Sequence, residues 1–183
     1  VGKAVNYGSW SGCTFRLYGT SDKGNPVDVT ATTGSGGKAY FKDIEIGTYT
    51  LEEVSRGNAY ILPAPQTVTI PGDDIAYATM ENVWKHWRAT ITKVDSDTGK
   101  ASPQGDATLN GAEYTLYKSG KAVATYTVQN SSFTTDLFPC TKDDGVYTLK
   151  ETNAPTGYKL EETVYKLKNS YDHYFNSENS FPV

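Results

Sequence analysis

Gly111-Ala112-Glu113-Tyr114-Thr115-Leu116-Tyr117 decides how this chain is read, because it is a second writing of Gly12-Cys13-Thr14-Phe15-Arg16-Leu17-Tyr18. Gly145-Val146-Tyr147-Thr148-Leu149-Lys150-Glu151 likewise repeats Gly47-Thr48-Tyr49-Thr50-Leu51-Glu52-Glu53, and Glu178-Asn179 repeats Glu81-Asn82. The intervals agree as well. Gly12 to Glu53 is 41 residues and Gly111 to Glu151 is 40, while Glu53 to Asn82 is 29 and Glu151 to Asn179 is 28. One module in two tandem copies points to a modular rod before it points to an enzyme.

At 183 residues the chain suits two small domains, placed at 1–83 and 89–183 with a short aromatic linker over 84–88. Each is small enough that burial alone leaves it marginal, so an added staple is expected. Tyrosine is abundant (14), methionine almost absent (1), and no apolar helical period appears, which favours strands. A net charge of −4 with no basic patch in either half argues against a nucleic-acid partner or an anionic membrane. No apolar run is long enough to span a bilayer, no signal peptide is present, and Leu62-Pro63-Ala64-Pro65 lacks the form of a wall-sorting signal. Signals for export and anchoring are therefore expected outside these residues.

Period-two segments bounded by Gly, Pro, Asn and Asp place strands near 2–5, 13–18, 27–32, 38–44, 48–54, 66–70 and 76–83. In the second copy they fall near 88–94, 112–118, 121–128, 132–136, 146–152, 162–168 and 172–181. Seven short strands per copy predict an all-β fold of two tandem antiparallel sandwiches, prealbumin-like or immunoglobulin-like. Only 54–60 and 152–158 have room for a single helical turn. The junction Val83-Trp84-Lys85-His86-Trp87-Arg88 holds no Gly, Pro or Ser, so a semi-rigid tandem is expected, with its tryptophans packed near the junction. The main difference between the copies is an insertion over Thr98–Asp106.

The chemistry sits where ionisable residues recur at matched strand positions. Alternation along 49, 51, 53 and 147, 149, 151 puts Glu53 and Glu151 on the same face as Tyr and Leu, so each acid points toward the core. A buried acid is costly unless paired or neutral. The first strand of each copy carries a lysine, Lys3 or Lys93, and the last carries an asparagine, Asn82 or Asn179. Such a set has a chemical use. A desolvated lysine is driven toward the neutral, nucleophilic amine. A buried glutamic acid can polarise the asparagine carbonyl and shuttle protons while the amine expels ammonia, leaving an amide between first and last strands.

With those residues in hand, both halves resemble the collagen-adhesin B-type (Cna-B) domains, also called SpaA-type or prealbumin-like, of Gram-positive surface proteins and pilins. The resemblance covers nearly the whole chain. It is carried by residues 12–21 and 46–54, by Thr-Lys-Val-Asp-Ser-Asp-Thr-Gly-Lys at 92–100, by 111–117, and by Tyr-Thr-Leu-Lys-Glu-Thr-Asn-Ala-Pro-Thr-Gly-Tyr at 147–158. It implies a spontaneous Lys3–Asn82 isopeptide bond assisted by Glu53, and a Lys93–Asn179 bond assisted by Glu151. The segment Ala4–Trp10 departs from the family's usual turn, and Asn176 and Asn169 compete with Asn179. The resemblance further implies a stalk module of a cell-wall-anchored, extracellular adhesin or pilus-like protein. Its partners would be neighbouring domains of the same protein and a host protein or glycan, with no cofactor, no metal and no membrane contact.

Other motifs give blander readings. Asp95-x-Asp97-x-Gly99 looks like the start of a calcium loop but lacks the downstream bidentate acid, so a turn is expected. His86 and His173 sit in no nucleophile motif. Cys13 and Cys140 lie outside any thioester-like context and read as buried thiols, with an interdomain disulfide as the alternative. Trp10, Tyr60, Tyr171 and Tyr174 fit cross-strand packing or a binding face. Three function classes remain: a structural stalk, an adhesive module, and an accessory domain of an enzyme.

Overall fold

A computed structural model describes residues 10–175 and the backbone of 179–182. The chain divides into two compact units, Val1–Trp84 and Lys85–Val183.

The first unit contains β1 (Thr14–Ser21), β2 (Pro26–Thr32), β3 (Gly47–Ser55), β4 (Tyr60–Ile61), β5 (Gln66–Ile70) and β6 (Val83–Trp84). Its main sheet runs β2-β1-β3-β5, antiparallel throughout, and β4 pairs with β6. Alternation buries Tyr49, Leu51 and Glu53 on one face of β3, beside Leu17 of β1. The opposite face is lined by threonines, of which Thr14–Thr32 and Thr48–Thr69 join hydroxyls across strands at 3.1 Å.

The second unit contains β7 (His86–Trp87), β8 (Ala89–Thr92), β9 (Glu113–Lys118), β10 (Lys121–Thr127), β11 (Ser132–Thr134), β12 (Phe138–Pro139), β13 (Tyr147–Asn153), β14 (Val164–Lys166) and β15 (Asn179–Pro182). One sheet runs β10-β9-β13-β14 and the other β11-β8-β15, with β7 and β12 paired beside them. The sequence predicts antiparallel pairing, and there is one exception among the named strands: β15 lies parallel to β8. Ala89 and Ile91 of β8 meet Tyr114, Leu116, Tyr147 and Leu149 of the facing sheet in one core. Ser119 and Gly120 both take positive φ, the two-residue turn whose twist suits the β9–β10 hairpin.

Several expected strands differ. Segment 2–5 lies outside the described residues. Segment 38–44 forms no strand, and of 76–83 only the end pairs, as β6. In the second unit β11 and β15 are strands because both bond to β8. In the first unit 38–44 and 76–82 have no ladder among the described residues. Phe41, Ile44 and Met80 from those segments still pack on the core, as a second layer should. Of 172–181, the part from Tyr171 to Phe175 is turn and bend, and β15 begins at Asn179. Neither 54–60 nor 152–158 forms a helical turn. Trp84 stands edge-on to Tyr60 in the first unit, centroids 4.9 Å apart, while Trp87 is fully buried against Phe138 and Tyr147 in the second.

Candidate crosslink site

In the second unit β13 carries Tyr147, Leu149 and Glu151 inward, and Glu151 is wholly inaccessible. The alternation of β8 continues one step past its end, so Ala89, Ile91 and Lys93 are all buried. These two strands lie in facing sheets, and their polar residues meet. Lys93 Nζ is 2.9 Å from Glu151 Oε1, with side chains 9% and 0% exposed. Lys93 Nζ also donates to the Tyr114 hydroxyl at 3.1 Å, and the Glu161 amide donates to Glu151 Oε2 at 2.6 Å. Burial, and then the negative charge of Glu151, push the Tyr114 hydroxyl well above the usual tyrosine range, so it keeps its proton.

Asn179 is not set beside this pair. Its backbone lies opposite Ala89, whereas Lys93 is four residues further on, about 13 Å at the strand rise. Asn176 lies outside the described residues. Asn169 is committed elsewhere: its Oδ1 accepts from the Gly145 and Tyr147 amides at 3.1 and 3.2 Å, and its Nδ2 donates to Thr141 Oγ1 at 2.6 Å and to the Asp143 carbonyl at 3.0 Å. It anchors the start of β13, at the far end from Glu151.

The first unit shows the complementary half. Glu53 is 2% exposed, and Asn82 Nδ2 donates to its Oε2 at 2.6 Å. Glu53 Oε1 is buried with no hydrogen-bond partner among the described residues. Lys3 lies outside the described residues. Phe15 stands opposite Glu53 in the ladder, as Tyr114 stands opposite Glu151.

Thus one copy brings the lysine to the acid and the other brings the asparagine to the acid, at equivalent places in one fold. A family model of the SpaA prealbumin-like fold domain matches residues 6–84 and again 88–178. The chain belongs to that family. Among solved structures, the Bacillus anthracis TIE protein aligns with a TM-score of 0.69 at 24% identity, covering 94% of this chain and 30% of that one. The iodide-soaked C-terminal fragment of pilus adhesin SpaC from Lactobacillus rhamnosus GG aligns at 0.53 with 17% identity, covering 96% of this chain and 81% of that one. These likenesses are of fold. The chain spans less than a third of the TIE chain. No curated protein sequence matches it.

Two groups of this site were not singled out from sequence: the Tyr114 hydroxyl and the Glu161 amide. The first had a signal, since Tyr114 stands where the first copy has Phe15, both aromatic and two residues before a shared Leu-Tyr. The second is a backbone group and leaves none.

The other motifs resolve locally. Asp95 closes a turn: its Oδ1 accepts from the Asp97 and Thr98 amides, while Gln104 Nε2 and the Tyr158 hydroxyl reach its carboxylate at 2.9 and 2.8 Å. Gln104 brings the 98–106 insertion back onto the domain. His173 Nδ1 lies 2.9 Å from an oxygen of Asp144 and 3.1 Å from Ser170 Oγ. A relay needs acid and serine on opposite ring nitrogens, so this cluster braces a turn. Cys13 and Cys140 are buried thiols outside any disulfide.

Proposed function

We propose that the chain supplies two stalk modules of a Gram-positive cell-surface adhesin or pilus-like protein, each stapled by an autocatalytic amide: Lys3–Asn82 assisted by Glu53, and Lys93–Asn179 assisted by Glu151. The observation that carries the reading is the Lys93–Glu151 contact of 2.9 Å inside a closed apolar core. A buried pair is seldom worth more than apolar residues of equal volume, so it calls for a purpose other than stability. The fold-level likeness to a pilus adhesin fragment agrees with an extracellular, wall-anchored setting, with partners among neighbouring domains.

The chemistry uses only groups of this chain. A proton passes from the Lys93 ammonium to Glu151. The amine attacks Cγ of the asparagine, the Nζ–Cγ bond forms as Cγ–Nδ2 breaks, and ammonia leaves. No cofactor or metal is required. Asn179 reaches Lys93 only if β15 pairs four residues further along β8, so the bonded protein carries that shifted register. In the first unit Glu53 Oε1, which has no hydrogen-bond partner among the described residues, supports the assignment of Glu53 as the acid that serves Lys3. Bond formation joins first and last strands, so tension passes through covalent bonds and bypasses the ladders. Peptide mapping after proteolysis tests the assignment: a branched peptide joining Lys93 to Asn179 is expected, and linear peptides carrying unmodified Lys93 and Asn179 would contradict it.

An adhesive role is favoured by one feature. Tyr77, 84% exposed, borders an open cleft of about 410 Å³ lined by Gln66, Thr67, Thr69 and Thr79. Tyrosine beside hydroxyls suits a sugar, and binding to immobilised host glycans lost in Tyr77→Ala tests it.

A further inference from the structure

Resting on the crosslinking reading above, we infer that Tyr114 is a third reacting-site residue of the second module, its hydroxyl holding the Lys93 amine for attack, and that the first module works without this group. Lys93 Nζ touches two side-chain groups in the core, Glu151 Oε1 at 2.9 Å and Tyr114 Oη at 3.1 Å. Once Glu151 has taken a proton, the amine keeps two N–H bonds and one lone pair. One N–H bonded to Tyr114 fixes rotation about the Cε–Nζ bond, so the lone pair has a defined direction. The ring is 0% exposed and cannot swing away.

The hydroxyl proton has a use as well. Tyr114 lies across the β9–β13 ladder from Glu151, and its hydroxyl and the Glu151 carboxylate both contact the Lys93 amine. Burial keeps it a neutral phenol, which accepts from nitrogen and retains its own proton. As the tetrahedral intermediate collapses, Nζ loses a second proton and the leaving Nδ2 gains one. The Tyr114 hydroxyl, in hydrogen-bond contact with Nζ, lies on a short path for that transfer, and the net change remains one amide formed and one ammonia released. Phe15 stands at the same ladder position in the first unit and has no hydroxyl, so Glu53 must act there without that group.

The full chain, isolated unfolded so that no amide has formed, is refolded by dilution between pH 5 and 11. Peptide-resolved mass loss follows each module with time, and far-ultraviolet dichroism follows folding. Tyr114→Phe is expected to fold at the wild-type rate, since a phenylalanine already serves at position 15, yet to crosslink the second module at least ~10-fold more slowly. The first module's rate should not change. Replacing Tyr114 by 3-fluorotyrosine, a more acidic phenol of nearly the same shape, should change the second module's crosslinking rate and its pH profile while leaving the folding rate and the first module unchanged. Equal rates and profiles for wild type, Tyr114→Phe and the fluorinated protein would overturn the role of Tyr114 and leave the crosslink standing. No mass loss in the wild-type second module would overturn the crosslinking reading itself.

Discussion

Glu151 sits at 0% exposure with the lysine ammonium on one oxygen and a backbone amide on the other. Its removal acts on two levels. Glu151→Ala leaves Lys93 buried without its acid, so about 3 kcal/mol of stability should be lost, and the crosslink with it. Glu151→Gln keeps the shape and the bond from Glu161 but cannot take a proton. It should therefore give a folded, uncrosslinked second module, read as folded by dichroism and unbranched by peptide mapping. A branched Lys93 peptide from Glu151→Gln would contradict the assigned role. At this scale the sequence was informative where repetition met alternation: both facts together place Glu53 and Glu151 inside. It was silent on the Glu161 amide, because main-chain donors carry no residue signature, and it read past the difference between Tyr114 and Phe15.

Among elements, strands with an obvious buried face were legible and those defined only by a partner were not. Residues 48–54 and 146–152 alternate strongly, and β3 and β13 follow them closely. Segments 38–44 and 76–82 contribute apolar residues to the core without ladders among the described residues, and alternation alone cannot tell these states apart. The parallel β8–β15 pairing was equally hidden, since register between distant strands is set by the whole sandwich. Two turns give direct tests. Gly157 has φ +89°, and a Cβ there would stand 2.6 Å from Ala107 Cβ, so Gly157→Ala should cost about 2 kcal/mol by thermal melting. Asp95 is held well below the usual carboxylate range, first by Gln104 and then by Tyr158 and Thr98. Its folded-state pKa is depressed, so its contribution is present above the unfolded value near ~3.9 and fades as pH falls toward the folded one. Asp95→Ala should therefore lower the melting temperature at pH 7 and flatten its fall between pH 5 and 2. An unchanged acid limb would show that this turn does not couple to folding.

For the whole molecule, the cysteines and the proposed amides define what chemistry remains once folding is complete. Burial pushes the Cys140 thiol up to about 11 against a weaker opposing pull from Lys85, so the group stays protonated at pH 8. Iodoacetamide at pH 8 should spare Cys140 in folded protein and modify it after denaturation; rapid modification of the native form would contradict its burial. Each proposed amide closes a loop of roughly 80 residues, which by the arithmetic for disulfides destabilises the unfolded chain by about 4 kcal/mol. Such a gain matters for domains too small to depend on their cores alone. The most direct test of the central claim is the mass of the intact, unreduced, folded chain. Two amides remove two ammonia molecules, so the chain should weigh about 34 Da less than its sequence, and about 17 Da less if one module alone reacts. A mass equal to that of the sequence would contradict the account.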